Sequence, residues 1–297
     1  MLRRTSKRYI SKRRMKEIKT AWLFLLPSVA GVTIFILIPL LDAVRRSFFE
    51  AMSGKFVGLK NYQTVIMNDA FRLAAINTGR FMLICISLLL AFSLFVSTLI
   101  NGLKKCQDFF KTTFLLTMGI PVASVVLMWK LVFSANGFLN RAIVLFGGST
   151  TDWMNSSKAF YVLVFSYLWK NTGYDMVLWL AGINGISAGL YEAAAIDGAG
   201  AFKKFRYITM PSLIPTVFTL FVLSLVNSFK VFREAYLVAG NYPNSSIYML
   251  QHLFNNWFVA LDIQKMCAAA VLVAAILIVF ILVAHRISNR LEGEDKV

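Results

Sequence analysis

Six long apolar runs constrain this chain more than any other feature of its sequence. They occupy residues 21–41, 81–100, 112–129, 159–186, 210–229 and 266–284. About 20 apolar residues cross the hydrocarbon core of a bilayer as an α-helix, which satisfies all backbone polar groups internally. One such run could be a buried helix of a soluble protein. Six in one chain predict an all-α polytopic membrane protein with six transmembrane helices.

The composition excludes the ordinary soluble classes. Hydrophobic residues make up 58% of the chain and charged residues 15%, whereas a soluble domain has roughly 45–50% and 25%. The three cysteines, Cys85, Cys106 and Cys267, are scattered, which argues against a disulfide framework and against zinc. No metal site is predicted.

The basic residues predict the orientation of the chain in the membrane. The net charge is +17, and nine Lys or Arg residues lie within residues 1–20. Further basic residues follow the second and fourth runs and the last run, and cytoplasmic loops carry such an excess. Both termini are therefore expected in the cytoplasm. The basic N-terminal segment is expected either to lie against anionic lipid or to be solvated. This membrane interpretation replaces nucleic-acid binding, so no nucleic-acid partner is expected.

The segment between the fourth and fifth runs is too regular for a linker. It opens with strong helix formers, with Ser187 suited to the N-cap. Asp197-Gly198 is suited to end that helix, because glycine tolerates the left-handed conformation. A second short helix is expected to reach about Ile208, and Pro211 is expected to open the fifth membrane helix.

One face of the first short helix is suited to docking. Leu190, Ala193, Ala194 and Asp197 share a face, and the alanines would let another protein approach closely. The alternative is an interfacial helix resting on lipid. That alternative fits less well, because this first short helix carries acids and no bases.

The same segment resembles the EAA loop of permease subunits of binding-protein-dependent ABC importers. The matching residues are Glu192, Ala193, Ala194, Asp197, Gly198, Ala199, Phe205, Ile208 and Pro211. Residues 23–27, 38–40, 47–48, 56–62 and 77–78 are similar to the carbohydrate branch, in particular to its maltose-permease-like half. The chain lacks the extra first helices and the large outer domain of that subunit, which leaves the substrate open.

The resemblance implies a fold, a function and a set of partners. The expected fold is that of a type I ABC importer permease in the cytoplasmic membrane. The expected partners are a second, homologous permease that completes a heterodimer, a pair of ATPase subunits docked on the EAA loop, an extracytoplasmic binding protein and a sugar. The chain has no GxxxxGK[ST] motif, so ATP would be bound by the ATPase and the chain itself would be neither an enzyme nor a cofactor protein.

The expected domains follow from the runs and the loop. Residues 1–20 form a basic cytoplasmic segment, and residues 21–72 form the first membrane helix with its outer loop. Residues 73–286 form a five-helix permease core that includes the coupling loop 187–210, and residues 287–297 form a cytoplasmic tail.

Polar residues on the fourth and fifth runs are candidates for the solute pathway, since polar side chains facing lipid are costly. They are Tyr167, Asn171, Tyr174, Ser224, Asn227 and Ser228. The resemblance implies that Tyr174 and Ser224 match sugar-contacting positions, and that Asn227 or Ser228 matches another. Interhelical hydrogen bonding favours the same residue types and is an equal alternative. Lys170 and Asp175 could form a neutralising pair or mark a kink.

Three other functions remain as alternatives. A permease of the same superfamily could carry glycerol phosphate or a peptide. The basic residues Lys170 and Lys230 are compatible with a phosphate ester as the solute. A polytopic membrane enzyme would need paired acids or histidines at the membrane face, and none is evident. A scaffold that transports nothing is disfavoured by the polar residues of the fourth and fifth runs.

Overall fold

The computed structural model describes residues 12–51, 53–103, 107–231, 235–236, 240 and 242–294. These residues form helices and one isolated bridge between Phe49 and Phe56, without a longer strand in the described ranges. The chain divides into two compact units, Met1–Val65 with Asp262–Leu272, and Ile66–Leu261 with Val273–Val297.

Fourteen α-helices have bounds within the described residues. They are α1 Lys12–Val32, α2 Ile38–Ser47, α3 Lys60–Met67, α4 Asp69–Gly102, α5 Gln107–Gly119, α6 Val122–Phe133, α7 Phe138–Leu145, α8 Ala159–Asn184, α9 Ala188–Ile196, α10 Ala201–Lys204, α11 Met210–Ser212, α12 Ile214–Ser228, α13 Leu250–Val259 and α14 Ile263–Glu294. Short 3₁₀ turns cover Phe229–Val231 and Ser245–Ile247.

Two π-helical segments join helices that would otherwise be interrupted. Thr33–Leu37 joins α1 to α2, and Phe205–Thr209 joins α10 to α11. In each case a proline, Pro39 or Pro211, follows two residues after the π segment. A proline has no N–H and its ring clashes with the carbonyl four residues earlier in an α-helix. The wider π turn relieves that clash, so the helix continues through the proline.

The structure supports four to five membrane-crossing helices in its described residues. Lys19–Ser47, Asp69–Gly102, Val122–Leu145 and Ile263–Leu291 are long and apolar enough to cross a bilayer. Ala201–Ser212 and Ile214–Ser228 add a fifth crossing if this pair, bent by 63°, is one span. Helix α8 has 26 residues but includes Lys170 and Asp175. The count of six helices therefore stays a prediction.

The third apolar run does not form a single helix. Helix α5 ends at Gly119, and α6 begins at Val122 with Pro121 at its N-cap. Pro121 lacks an N–H and pushes Ile120 away from the helical conformation. The prediction of one helix over residues 112–129 is therefore wrong.

The fifth membrane helix does not begin at Pro211, which is a second correction. Helix α12 begins at Ile214, and Pro215 is the proline in its first turn. The ring of Pro215 cannot coexist with an α-helical carbonyl at Pro211. The chain therefore bends at Leu213, whose side chain is fully buried.

Helix α8 lies at the centre of the second unit and packs closely on its neighbours. Buried polar bonds join it to α4, where Trp179 Nε1 donates to Ser93 Oγ at 2.9 Å and Ser97 Oγ donates to the Met176 carbonyl at 3.1 Å. Gly173 lies so close to α5 that a Cβ there would stand 2.2 Å from the Phe114 carbonyl oxygen. Small residues allow such approaches between membrane helices.

Candidate coupling loop and solute pathway

Helix α9 begins and ends where the sequence predicts. It covers Ala188–Ile196, with Ser187 at the N-cap position, although the Ser187 hydroxyl makes no capping hydrogen bond. Alanine, leucine and glutamate dominate it and favour the helical conformation.

Gly198 ends α9 in a Schellman arrangement. Its φ is +74°, its N–H bonds to the Ala195 carbonyl at 3.1 Å, and the Ala199 N–H bonds to the Ala194 carbonyl at 2.8 Å. These two bonds satisfy carbonyls that the helix end leaves without intrahelical partners. The prediction that Gly198 stops the helix is confirmed.

The candidate coupling loop presents an exposed, mixed surface. Glu192, Ala193, Asp197 and Gly198 are exposed, whereas Ala194, Ala199, Phe205 and Pro211 are half-buried. The exposed surface also carries the large side chain of Leu190, and three more that the sequence analysis did not single out, namely Ile196, Phe202 and Tyr207. Ile196 is 87% exposed and Phe202 79% exposed, on either side of the Gly198 turn. Exposed apolar groups among polar ones are typical of a protein–protein interface.

A polar cavity lies between the helices of the second unit. Its volume is about 120 Å³, and it is lined by Met118, Ser166, Tyr167, Lys170, Asn171, Asn227 and Val231. Tyr167, Asn171 and Asn227 were among the candidate pathway residues. Ser166 and Lys170 extend the same stripe of α8, because residues four apart share a helix face. The spacing of Ser166 and Lys170 in the sequence was a usable signal for this stripe.

The other pathway candidates lie outside that cavity lining. Ser224 and Ser228 are buried, and Ser228 Oγ donates to the Leu225 carbonyl of its own helix at 2.6 Å. Tyr174 is half-buried. This placement leaves both the pathway role and the packing role of these residues as predictions.

Asp175 is part of a buried polar contact between α8 and α12. Only 2% of Asp175 is exposed, and its Oδ2 accepts a bond from Ser224 Oγ at 3.2 Å. About two turns before Asp175, Tyr167 Oη donates to the Ser224 carbonyl at 3.1 Å. Asn171 Nδ2 donates to the Tyr167 carbonyl at 2.8 Å. The bonds of Asp175 and Tyr167 with Ser224 hold the polar face of α8 against α12, whereas the Asn171 bond lies within α8.

Within the described ranges, no group of three or more His, Cys, Asp or Glu side chains could hold a metal ion. The chemical groups that converge in the cavity are hydroxyls, amides and one ammonium. These groups bind polar solutes by hydrogen bonding.

Comparison with known proteins places the chain in a family. Residues 101–293 match the family model "Binding-protein-dependent transport system inner membrane component". The chain belongs to this family, and it is therefore an integral inner-membrane permease component of an ABC importer.

Two curated relatives match along nearly their whole length. The trehalose/maltose transport system permease protein MalF of Thermococcus litoralis is 27% identical, over 94% of this chain and 97% of the relative. The sn-glycerol-3-phosphate transport system permease protein UgpA of Yersinia pestis bv. Antiqua is 26% identical, over 91% of this chain and 94% of the relative.

A solved structure shares the fold. It is a chain of a bacterial alginate ABC transporter in complex with an alginate pentasaccharide-bound periplasmic protein. It is 22% identical, with a TM-score of 0.82, and the match covers 95% of this chain and 99% of that chain. The predicted all-α permease fold is thereby confirmed.

Proposed function

We propose that the chain is the permease subunit of an ATP-driven importer of sugars, either mono- or oligosaccharides. It would form half of the translocation pathway and couple to the ATPase through the loop 187–210. The observation that carries this proposal is the exposed helix α9. This helix is ended by Gly198 and lies in the chain between α8 and α12.

The coupling loop supports an ATPase partner. Helix α9 offers Glu192 and Asp197 as charges and Ile196 as an apolar contact, all exposed. A second protein can bury this mixed surface. ATP would be bound by that ATPase and not by this chain, so the permease itself would need no cofactor.

Two further partners complete the proposed importer. A second permease would supply the other half of the pathway, because a polar face on α8 and α12 needs a protein or aqueous neighbour and not lipid. An extracytoplasmic binding protein would deliver the solute. The solved alginate transporter is described in complex with such a periplasmic protein.

The polar cavity supports a sugar as the solute. Asn171, Asn227 and Tyr167 offer amide and hydroxyl groups, which bind sugar hydroxyls, and the tyrosine ring offers an apolar face. A phosphate ester is the second candidate, because Lys170 also lines this cavity and one relative is named for glycerol 3-phosphate.

Uptake by the reconstituted importer tests the solute and the cavity together. The chain is expressed with the permease, ATPase and binding protein encoded beside it, and labelled maltose, trehalose and glycerol 3-phosphate are offered separately. Asn171→Ala and Asn227→Ala should each lower uptake by about twofold to tenfold, as a lost hydrogen bond implies. The ATPase should stay bound.

Thr219→Ala is the matched control, since Thr219 lies exposed on α12 and its hydroxyl donates to the Pro215 carbonyl of its own helix. Its uptake should equal that of the original chain. Uptake of glycerol 3-phosphate alone would select the phosphate ester. Equal uptake by all three variants would remove the cavity from the pathway.

The orientation gives a separate prediction. A reporter that is active only outside the cytoplasm should be silent when fused after Val297 and active when inserted at Ser149, which is exposed in the segment between α7 and α8. The opposite pattern would place the coupling loop outside and contradict the proposed ATPase contact.

A further inference from the structure

We propose that the hydroxyl contact between Tyr191 and Thr209 locks helix α9 to the segment that leads directly into α12. Tyr191 would act as a positioning residue for coupling. This inference rests on the proposed function for its physiological meaning, but the contact itself can be tested on the chain alone.

The contact joins two distant parts of the coupling segment. Tyr191 Oη and Thr209 Oγ1 lie 2.8 Å apart, and the two residues are 18 positions apart in the chain. Tyr191 is half-buried, and Thr209 is only 6% exposed. In the described residues this is the one side-chain hydrogen bond made by the residues of α9.

The two ends of this contact belong to different elements, Tyr191 to α9 and Thr209 to the π segment. Thr209 is the last residue of the π segment and lies four residues before the bend at Leu213. Leu213 belongs to a buried cluster with Trp179, Ile183 and Leu220, which packs α12 against α8. Thr209 is therefore next to a rigid joint.

The covalent route from α9 to that joint is longer than the hydrogen-bonded one. It passes through the turn at Gly198, whose φ is positive, and then through Gly200. A Cβ added at Gly200 would meet nothing within 4 Å. It then passes through the π segment Phe205–Thr209. A displacement of α9 could be absorbed along this route. The Tyr191–Thr209 bond bypasses the route, so that a displacement of α9 moves α12 as well.

The close approach of α8 and α12 extends this rigid joint. A Cβ at Gly182 would stand 2.5 Å from Thr216 Oγ1 and 2.9 Å from Leu213 Cδ2. The segment between α8 and α12 therefore begins and ends where these two helices are in close contact. The hydrogen bond between Tyr191 and Thr209 would therefore transmit a displacement of α9 to this contact between α8 and α12.

Hydrogen exchange on the full chain in lipid nanodiscs tests the link without any transported solute. Tyr191→Phe removes only the hydroxyl, and Thr209→Val replaces the other hydroxyl by a methyl group. Both should speed amide exchange in residues 188–199 by about twofold to tenfold, the factor expected for one hydrogen bond. Thr209→Ser keeps the hydroxyl and should exchange at the original rate.

Tyr207→Phe is the matched control, because Tyr207 lies in the same segment but is 74% exposed. It should leave the exchange of α9 unchanged. Exchange at the original rate in both Tyr191→Phe and Thr209→Val would overturn the proposal, and so would equal acceleration in Tyr207→Phe.

Coupling in the assembled importer gives the second readout, with maltose as the probe. Tyr191→Phe should keep the ATPase bound and hydrolysing ATP, but maltose uptake per ATP should fall by about twofold to tenfold. An unchanged ratio would overturn the coupling role. If the original chain binds no ATPase, the proposed function fails, and the exchange measurement still decides whether the lock exists.

Discussion

Replacing Gly198 by alanine should lower solute uptake by about 5–30-fold, because the left-handed conformation costs a residue with a Cβ about 1–2 kcal/mol. Gly198 holds a φ of +74° at the end of α9. With alanine, the Schellman bonds from Gly198 and Ala199 to α9 would weaken, and α9 would end elsewhere. Uptake and ATPase co-purification measure the effect.

Gly200→Ala is the control for this prediction. Gly200 lies two residues further in the same loop, but its φ is −70° and a Cβ there would meet no neighbour within 4 Å. Its uptake should stay within about twofold of the original, since surface substitutions change stability by no more than about 0.5 kcal/mol. Equal losses in both variants would show that the loop tolerates no side chain and that the φ of Gly198 is irrelevant.

Replacing Gly173 by alanine should destabilise the whole second unit. The new Cβ would lie 2.2 Å from the Phe114 carbonyl oxygen and 2.5 Å from its carbon, both of which belong to the backbone of α5. The backbone must therefore shift, and overpacking of this kind costs about 1–3 kcal/mol or more. The thermal midpoint of the purified chain in detergent should fall by several degrees.

Gly79→Ala, on a helix that packs against α8, should not lower the thermal midpoint. Gly79 lies within α4, and a Cβ there would meet nothing within 4 Å. Alanine is favoured over glycine in a helix by roughly 0.8–1.0 kcal/mol, so the thermal midpoint should stay equal or rise. A Gly173→Ala chain as stable as the original would show that α5 and α8 are not held at this distance.

The sequence was sufficient for features that depend on a few neighbouring residues. Hydropathy located the spans Lys19–Ser47, Asp69–Gly102 and Ile263–Leu291. The helix formers before Gly198 predicted both ends of α9. Hydropathy could not reveal the break at Pro121, because the residues on both sides of it are equally apolar. The rule that proline opens a helix could not distinguish Pro211 from Pro215, since both follow a plausible start.

The contacts that organise the site could not be predicted in the same way. Tyr191 meets Thr209 only because the loop turns back on itself at Gly198. Gly173 meets Phe114 only because α5 lies against α8. Such pairs have no local periodicity, and they depend on how separate helices pack. The burial of Ser224 against Asp175 is of the same kind.

The two π segments affect how this chain should be aligned with its relatives. Each π turn contains one residue more than an α-helical turn. The residues beyond Leu37 and beyond Thr209 are therefore rotated by about 100° from the faces that an uninterrupted α-helix would give them. A relative that lacks Pro39 or Pro211 can present the same faces with one residue fewer. A single-residue gap at either place would then record a change of helix type, and not a shortened loop.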